Sequence, residues 1–228
     1  GDLAGNAAAI RAAYERGRAA GVEIVVAPEL SITGYPPRDL LLRQGFVESN
    51  LRVLEQLAQV TGTVGLLVGY VGRNTSGHGR ELTNSVALLQ NGRIVASRSK
   101  TLLPTYDVFD EDRYFEPADT NAPVVFNGQP VGLTICEDLW NDEFLWRTRR
   151  YRKNPAQDLC EGGAQIIFNI SASPWHLGKN RMRHALLSSV ASRLGRPLVY
   201  CNLVGGNDEL IFDGSSVVFD RNGEQIAR

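Results

Sequence analysis

The chain has 228 residues, and its 24 Lys and Arg against 25 Asp and Glu give a formal net charge of −1. Hydrophobic residues make up 43% and charged residues 21% of the chain, which is typical of globular domains and excludes a disordered protein. The near-zero charge argues against a general nucleic-acid-binding protein, which carries a basic excess. No apolar run approaches the ~18 residues that cross a bilayer, so the sequence predicts no membrane span.

The pattern of cysteines bears on the compartment. Cys136, Cys160 and Cys201 lie far apart and are odd in number, which is typical neither of a disulfide framework nor of a zinc site. Residues 1–6 lack the basic-then-apolar pattern of a signal peptide. The sequence therefore predicts a cytoplasmic protein with no metal site.

Hydrophobic periodicity predicts alternating helices and strands in the first half of the chain. In order these are a helix at 6–20 capped by Asn6, a strand at 22–27, a helix at 44–59, a strand at 64–71, and a hairpin at 84–98 that turns at Asn91-Gly92. An Asn-Gly pair between two apolar runs is a strong hairpin signal.

The second half continues with hairpins and strand–helix units. Its predicted elements are a hairpin at 124–135 turning at Gly128-Gln129-Pro130, a strand at 165–169, a helix at 180–194, strands at 198–202 and 217–220, and a turn at 221–223. This mixture excludes a purely parallel sheet and predicts an α/β layered domain with mixed sheets.

Three predicted strand ends carry reactive side chains: Glu29, Lys100 and Cys136. Open α/β sheets bind ligands at the carboxyl ends of their strands. A thiol that reacts as a thiolate, a carboxylate that moves its proton, and an ammonium that stabilises negative charge would together make a nucleophilic site. Lys100 is one of only three lysines in an arginine-rich chain, which favours a specific use of its ammonium group.

Other readings of these residues stay open on spacing alone. A lone cysteine in an apolar strand is commonly a small core residue. His176 or His184 could instead serve as the base of a Cys–His enzyme. The basic segment at 146–153 (WRTRRYRK) favours a solvated surface over a nucleic-acid patch.

Several motifs together resemble those of a known family. Pro28-Glu29, Lys100 with Leu103-Pro104, and residues 135–140 (ICEDLW) resemble the Glu–Lys–Cys signature of the nitrilase (carbon–nitrogen hydrolase) superfamily. Residues 104–115 (PTYDVFDEDRYF), 171–174 (SASP) and 205–214 (GGNDELIFDG) resemble the glutaminase domains of glutamine-dependent NAD⁺ synthetases. The resemblance covers nearly the whole chain and implies a four-layer αββα sandwich.

The resemblance also implies roles for individual residues. Cys136 is the expected nucleophile, Glu29 the general base and Lys100 the third member of the triad, with Glu111 in support. The expected contacts of a bound glutamine are Tyr106, Glu137, Ser173 and Lys179, with Tyr35 and Phe109 shaping the pocket. Glu137 is expected to hold the ammonium and Lys179 the carboxylate.

The implied activity is hydrolysis of L-glutamine to glutamate and ammonia, with the ammonia passed to a synthetase domain that amidates deamido-NAD⁺. Residues 1–228 are expected to form a single carbon–nitrogen hydrolase domain, which needs no cofactor, whereas ATP and Mg²⁺ belong to a synthetase domain absent from this sequence. A homo-oligomer is also expected. An amidase for another small amide, or a catalytically silent assembly domain, remains an alternative.

Overall fold

A computed structural model describes residues 1–141, 148 and 150–228. The chain divides into two compact units: unit 1 holds Gly1–Ser99 and Leu103–Pro117, and unit 2 holds Lys100–Leu102 and Ala118–Arg228. Three positions of the basic segment at 146–153, namely 146, 147 and 149, lie outside the described residues. Among the described residues, no helix is long and apolar enough to cross a membrane.

Unit 1 consists of a four-stranded mixed sheet and two helices. Its elements are α1 (Leu3–Ala19), β1 (Ile24–Val26), α2 (Gln44–Gln59), β2 (Gly65–Arg73), β3 (Leu82–Gln90) and β4 (Arg93–Ser99). The strand order is β1-β2-β3-β4, with β1 parallel to β2 and the other pairs antiparallel. Side chains of α1 and α2 pack with those of β2 and β3 in one apolar core. The helices contribute apolar residues at helical spacing, and nearly all of β2 and β3 is buried.

The elements predicted for unit 1 are all present, although most of their ends differ from the prediction by a few residues. The Asn91-Gly92 turn is confirmed, with φ of 54° and 77° at its two residues. The predicted cap of α1 is wrong. Asp2 caps the helix by accepting a hydrogen bond from the Gly5 N–H at 2.8 Å, whereas Asn6 lies inside the helix and its amide donates to the Ile32 carbonyl at 3.0 Å.

Unit 2 is built on a six-stranded mixed sheet. Its elements are β5 (Val124–Phe126), β6 (Gln129–Ile135), α3 (Pro155–Glu161), β7 (Ile166–Ser171), α4 (Lys179–Leu194), β8 (Leu198–Asn202), β9 (Val204–Asn207), β10 (Leu210–Asp213), β11 (Val217–Phe219) and β12 (Gln225–Ala227). The order is β12-β11-β8-β7-β6-β5, with β6, β7 and β8 parallel and the flanking strands antiparallel. Helices α3 and α4 supply apolar side chains to its core.

Two local features of unit 2 differ from the prediction. The second hairpin turns at Asn127-Gly128, with φ of 48° and 78°, and Pro130 lies inside β6. The two-residue turn needs positive φ at both positions, which Asn-Gly adopts easily and proline cannot. The sequence reading also missed the β9–β10 hairpin and α3, although Asn154 followed by Pro155 is a recognisable helix start. The expected α/β class with mixed sheets is confirmed.

Candidate active site

Glu29 of unit 1 lies just beyond β1, fully buried. The chain is fixed against β2 on both sides of it, because the Ala27 N–H donates to the Leu67 carbonyl at 2.8 Å and the Ile32 N–H to the Gly69 carbonyl at 3.2 Å. The position of Glu29 is therefore set by main-chain bonds to the neighbouring strand.

Gly69 is what allows this close approach. A Cβ built on Gly69 would lie 2.5 Å from the Pro28 carbonyl oxygen and 2.8 Å from the Glu29 carbonyl carbon, and closer still to the Leu30 nitrogen. All three are backbone atoms, which cannot swing aside as the end of a side chain can. Glycine at this position is therefore a steric requirement of the Glu29 turn.

A buried hydrogen-bond network surrounds Glu29. The Asn84 side-chain amide, on β3, donates to Glu29 Oε1 at 2.8 Å and to Glu111 Oε2 at 3.2 Å. The Tyr35 hydroxyl donates to Glu111 Oε1 at 2.9 Å. The structure thus joins three predicted residues, Glu29, Glu111 and Tyr35, through Asn84, which sequence reasoning missed. An asparagine in a strand whose residues are nearly all buried was the available signal, but burial is visible only in the structure.

The other predicted residues of unit 1 are Tyr106 and Phe109, in the segment after Leu103. Their rings meet edge to face with centroids 5.6 Å apart, and both side chains are half-buried. The Phe109 N–H also donates to the Tyr106 carbonyl at 3.0 Å. The two rings therefore form one aromatic corner, and their predicted roles, substrate contact for Tyr106 and pocket shaping for Phe109, stay predictions.

In unit 2, Cys136 is the first residue of a short 3₁₀ turn that directly follows β6. Its side chain is buried, and its φ of 43° lies in the left-handed region. A non-glycine residue held there is uncommon and is concentrated at functional sites. The Asn169 amide lies 3.5 Å from the Cys136 carbonyl oxygen and donates to Thr134 Oγ1 at 3.0 Å.

Lys100 is also buried in unit 2. Its carbonyl accepts a hydrogen bond from the Ala118 N–H at 2.9 Å. The two residues after it, Thr101 and Leu102, donate their N–H groups to the Asp138 carboxylate at 3.0 and 2.9 Å. Burial raises the pKa of Asp138 to about 7, although these N–H donors and the nearby Lys100 charge oppose the shift.

Glu137, next to the thiol, has a partner that the sequence reading did not identify. The Tyr151 hydroxyl donates to Glu137 Oε1 at 3.0 Å. Asn141 holds the Tyr151 main chain by donating to its carbonyl at 2.7 Å and accepting from its N–H at 3.2 Å. Burial, and then the negative charge of Glu137, raise the pKa of the Tyr151 phenol, so it stays a protonated donor.

Ser173 and Lys179 complete the predicted contacts in unit 2. The Ser173 N–H donates to Asn202 Oδ1 at 2.8 Å, and its carbonyl lies 3.4 Å from a guanidinium nitrogen of the buried Arg183. Lys179 begins α4, and its Nζ lies 5.5 Å from the centre of the Trp140 ring. Ser173 is thus rigidly held, and Lys179 is a half-buried cation close to the end of the nucleophile turn.

The other candidate nucleophiles and bases are Cys160, Cys201, His184 and His176. Burial raises the pKa of Cys160, and raises that of Cys201 to about 11, which disfavours the reactive thiolate. The His184 ring packs edge to face on Phe219, and His176 is exposed. Among the described residues, no cluster of three or more His, Cys, Asp or Glu could hold a metal.

Described separately, each unit holds side chains of a kind that amide hydrolysis uses. Unit 1 holds a buried carboxylate whose position is fixed by β2 and Asn84. Unit 2 holds a buried thiol in a turn with an unusual backbone, a buried ammonium on an anchored segment, and a hydrogen-bonded carboxylate beside the thiol. A nucleophile, a proton carrier and a cation are the groups required for acyl transfer through a thioester.

Comparison with known proteins identifies relatives along the whole chain. The chain is 43% identical over 235 residues to a glutamine-dependent NAD(+) synthetase from Synechocystis sp.. It is 39% identical over 233 residues to another from Thermotoga maritima. These alignments cover 100% and 99% of this chain. The chain spans only 42% and 37% of the length of those two relatives.

Solved structures similar to this chain include an NAD⁺ synthetase and an amidase. The glutamine-dependent NAD⁺ synthetase of Acinetobacter baumannii superposes with a TM-score of 0.86 at 32% identity, covering 98% of this chain and 40% of that one. An amidase from Nesterenkonia sp. shares the fold, with a TM-score of 0.80 at 23% identity over 99% of this chain and 80% of that one. The carbon–nitrogen hydrolase family model matches residues 1–228, and the chain belongs to the carbon–nitrogen hydrolase family.

Proposed function

We propose that this chain is the glutaminase part of a glutamine-dependent NAD⁺ synthetase, and that it hydrolyses L-glutamine to glutamate and ammonia. The observation that carries the proposal is the turn after β6, where a buried thiol at Cys136 is followed directly by the Tyr151-bonded carboxylate of Glu137. A thiol with an acidic group beside it suits an amide substrate that also bears an ammonium group. Relatives named as glutamine-dependent NAD(+) synthetases support the choice of glutamine.

In the first half of the proposed reaction, Glu29 takes the proton of the Cys136 thiol and the thiolate attacks the carboxamide carbon of glutamine. A C–S bond forms, and the carbonyl oxygen gains negative charge that the Lys100 ammonium stabilises. Glu29 then returns the proton to the amide nitrogen. The C–N bond breaks, ammonia leaves, and a thioester remains on Cys136.

In the second half, water replaces the departed ammonia. Glu29 removes a proton from this water as its oxygen attacks the thioester carbonyl, and Lys100 again stabilises the oxyanion. The C–S bond breaks and glutamate leaves. The sulfur recovers its proton from Glu29, so the cycle consumes one water for each amide hydrolysed and draws on no metal or organic cofactor.

The charged ends of glutamine give the proposed site its specificity. Glu137 binds the α-ammonium and Lys179 the α-carboxylate, each worth about 1.5–3 kcal/mol as a charge-assisted hydrogen bond. Ser173 and Tyr106 add polar contacts, and Tyr35 and Phe109 shape the pocket. An amide without these charged groups leaves Glu137 and Lys179 without their partners, and such losses penalise a substrate strongly.

The wider setting follows from the relatives. An ATP- and Mg²⁺-dependent synthetase domain, in the same chain or another, is the proposed acceptor of the ammonia for amidation of deamido-NAD⁺. The proposed location is the cytoplasm. The homo-oligomer and the single domain over residues 1–228 stay predictions.

Ammonia release from glutamine, asparagine and butyramide tests the proposal. We expect glutamine to have the highest kcat/KM, and Lys179→Ala to lower kcat/KM for glutamine by ~10-fold or more while leaving butyramide unchanged. A glutamine-analogue electrophile should add to Cys136 and be located there by mass spectrometry. A chain that prefers butyramide, or that loses equally on both amides in Lys179→Ala, is a general amidase.

A further inference from the structure

One of the buried ionisable groups that have no role in the proposed reaction is Asp138. Asp138 lies in the turn that Cys136 begins, and its side chain is almost completely buried. Its carboxylate accepts three main-chain hydrogen bonds. Oδ2 accepts from the Ile135 N–H at 2.9 Å, and Oδ1 accepts from the N–H groups of Thr101 and Leu102 at 3.0 and 2.9 Å.

The three N–H donors lie close to the predicted catalytic residues in the sequence. Ile135 directly precedes Cys136, and Thr101 directly follows Lys100. One carboxylate therefore holds two segments that lie more than 30 positions apart in sequence, each adjacent to a predicted catalytic residue. Because its two oxygens each serve a different segment, a shift of Asp138 moves both of them.

The segment that carries Lys100 has a second anchor on its other side. The Lys100 carbonyl accepts from the Ala118 N–H, so the main chain is held both at Lys100 and at the next two residues. The backbone of Lys100 is therefore fixed, and only the side chain lies between this anchor and the buried ammonium group. A long, flexible side chain reaches a defined position only when its backbone is fixed in this way.

We infer that Asp138 is a positioning residue. Through its main-chain hydrogen bonds it fixes the backbone next to Lys100 relative to the backbone next to Cys136. This inference rests on the catalytic roles proposed above for Lys100 and Cys136. Asp138 itself exchanges no proton with the substrate. Its contribution is geometric, and displacements of about 1 Å at such a remove from the chemistry can cost ~10²-fold in rate.

Asp138→Asn is the sharpest test because it preserves size and shape. The amide of asparagine turns one acceptor into an N–H donor, which then faces either the Ile135 N–H or those of Thr101 and Leu102. We expect kcat for glutamine to fall by ~10²-fold with KM within about twofold, since the substrate contacts are untouched.

A second readout needs no turnover. The rate at which iodoacetamide alkylates Cys136 reports the thiolate population, which the Lys100 ammonium favours in the role proposed above. We expect Asp138→Asn to slow this rate by about tenfold at neutral pH, as a one-unit rise in the thiol pKa would do. A purely structural role would lower the melting temperature without changing the reactivity of the thiol in the folded protein.

Asp220→Asn is the matched control. Asp220 also lies in unit 2 and accepts two main-chain hydrogen bonds, from the N–H groups of Asn222 and Glu224 at 2.8 and 2.9 Å. It sits in the exposed turn between β11 and β12. We expect its kcat, KM and alkylation rate to match those of the parent.

Amide hydrogen exchange in the unaltered chain covers the case in which Asp138→Asn does not fold. Release of the Asp138 carboxylate opens all three amides together, so Ile135, Thr101 and Leu102 should exchange at a common slow rate. Exchange of Thr101 and Leu102 more than ~10-fold faster than Ile135 would overturn the inference.

The two hypotheses fail in different ways. A parent chain that does not hydrolyse glutamine, but whose thiol is alkylated faster than that of Asp138→Asn, refutes the proposed function and supports the positioning role. An Asp138→Asn variant with parental kcat and parental alkylation rate refutes the positioning role and leaves the glutaminase intact.

Discussion

The three thiols of the chain differ in their surroundings. Cys136 begins a turn with a left-handed backbone at the end of β6, whereas Cys160 packs against the apolar core of unit 2 and Cys201 lies within β8. The raised pKa of Cys160 and Cys201 keeps them protonated near neutral pH. Because burial affects all three thiols, it is the left-handed backbone of its turn that singles out Cys136 as the candidate nucleophile.

We predict that Cys136→Ala abolishes ammonia release from glutamine, while Cys160→Ala and Cys201→Ala keep it within a few-fold of the parent. The alanine removes the only atom that can form the thioester, and a small buried side chain contributes little to packing. Steady-state assays with matched circular dichroism spectra measure this. Comparable loss in Cys201→Ala would move the nucleophile to β8.

Tyr151 is predicted to act on substrate affinity. Its hydroxyl donates to Glu137 Oε1, which orients the carboxylate proposed to bind the α-ammonium of glutamine. We expect Tyr151→Phe to raise KM by about 5–20-fold with kcat nearly unchanged, less than the loss of a direct hydrogen bond to a charged group because Tyr151 acts through Glu137. Initial rates over a range of glutamine concentrations measure the two parameters.

Tyr70→Phe is the control for that prediction. The Tyr70 hydroxyl also makes a side-chain hydrogen bond, to Ser97 Oγ at 2.8 Å, but it does so on the sheet of unit 1. Its removal should leave KM for glutamine at the parental value. A kcat loss in Tyr151→Phe with unchanged KM would instead place the phenol in the chemical steps.

At the scale of elements, the contact between β2 and the Glu29 turn makes a steric prediction. Gly69→Ala places a methyl group against the backbone of residues 28–30, and overpacking of this kind costs about 1–3 kcal/mol. Because the displaced atoms include those of Glu29, kcat should fall as well. Urea unfolding and glutamine turnover are the two measurements.

Gly206→Ala provides the comparison within the same chain. Gly206 also lies in a strand, β9, but a Cβ there would meet its nearest neighbour, the Leu210 carbonyl oxygen, at an ordinary 3.5 Å. We expect its unfolding free energy to change by less than ~0.5 kcal/mol. Equal destabilisation in both variants would show that general strand effects, and not the Glu29 turn, cause the loss.

The elements also show which parts of the molecule the sequence could predict. The boundaries of α2 and β8 match the prediction because continuous local patterns define them. Asn84 and Tyr151 were missed because their partners, Glu29 and Glu137, lie 55 and 14 positions away and no local rule joins them. Motif resemblance identified candidate groups, whereas the hydrogen bonds that orient those groups needed coordinates.

At the scale of the whole molecule, Asp138 links stability to pH. Its pKa of about 7 in the folded chain lies above the ordinary value of 3.8, so between these pH values the folded state binds more protons than the unfolded state. Asp138 therefore stabilises the folded state most at low pH. This stabilisation decreases by up to ~1.4 kcal/mol per pH unit as the pH rises, and it is lost above about pH 7.

We expect the unfolding free energy of the parent, minus that of Asp138→Asn, to decrease between pH 5 and pH 7. The subtraction removes the contributions of all other titrating groups that the two proteins share. Urea unfolding at the two pH values measures it. A difference that is constant or increases with pH would mean that the carboxylate is stabilised in its ionised form.

Because Lys100 is buried, its chemical modification distinguishes folded from unfolded molecules. Its three lysines differ in access, since Lys100 is buried, Lys179 is half-buried and the Lys153 side chain is 46% exposed. Brief acetylation of the native protein should therefore modify Lys153 and Lys179 and spare Lys100. After denaturation, a lysine-specific protease would cut such molecules after residue 100, and the uncut remainder would measure the fraction that was unfolded during labelling.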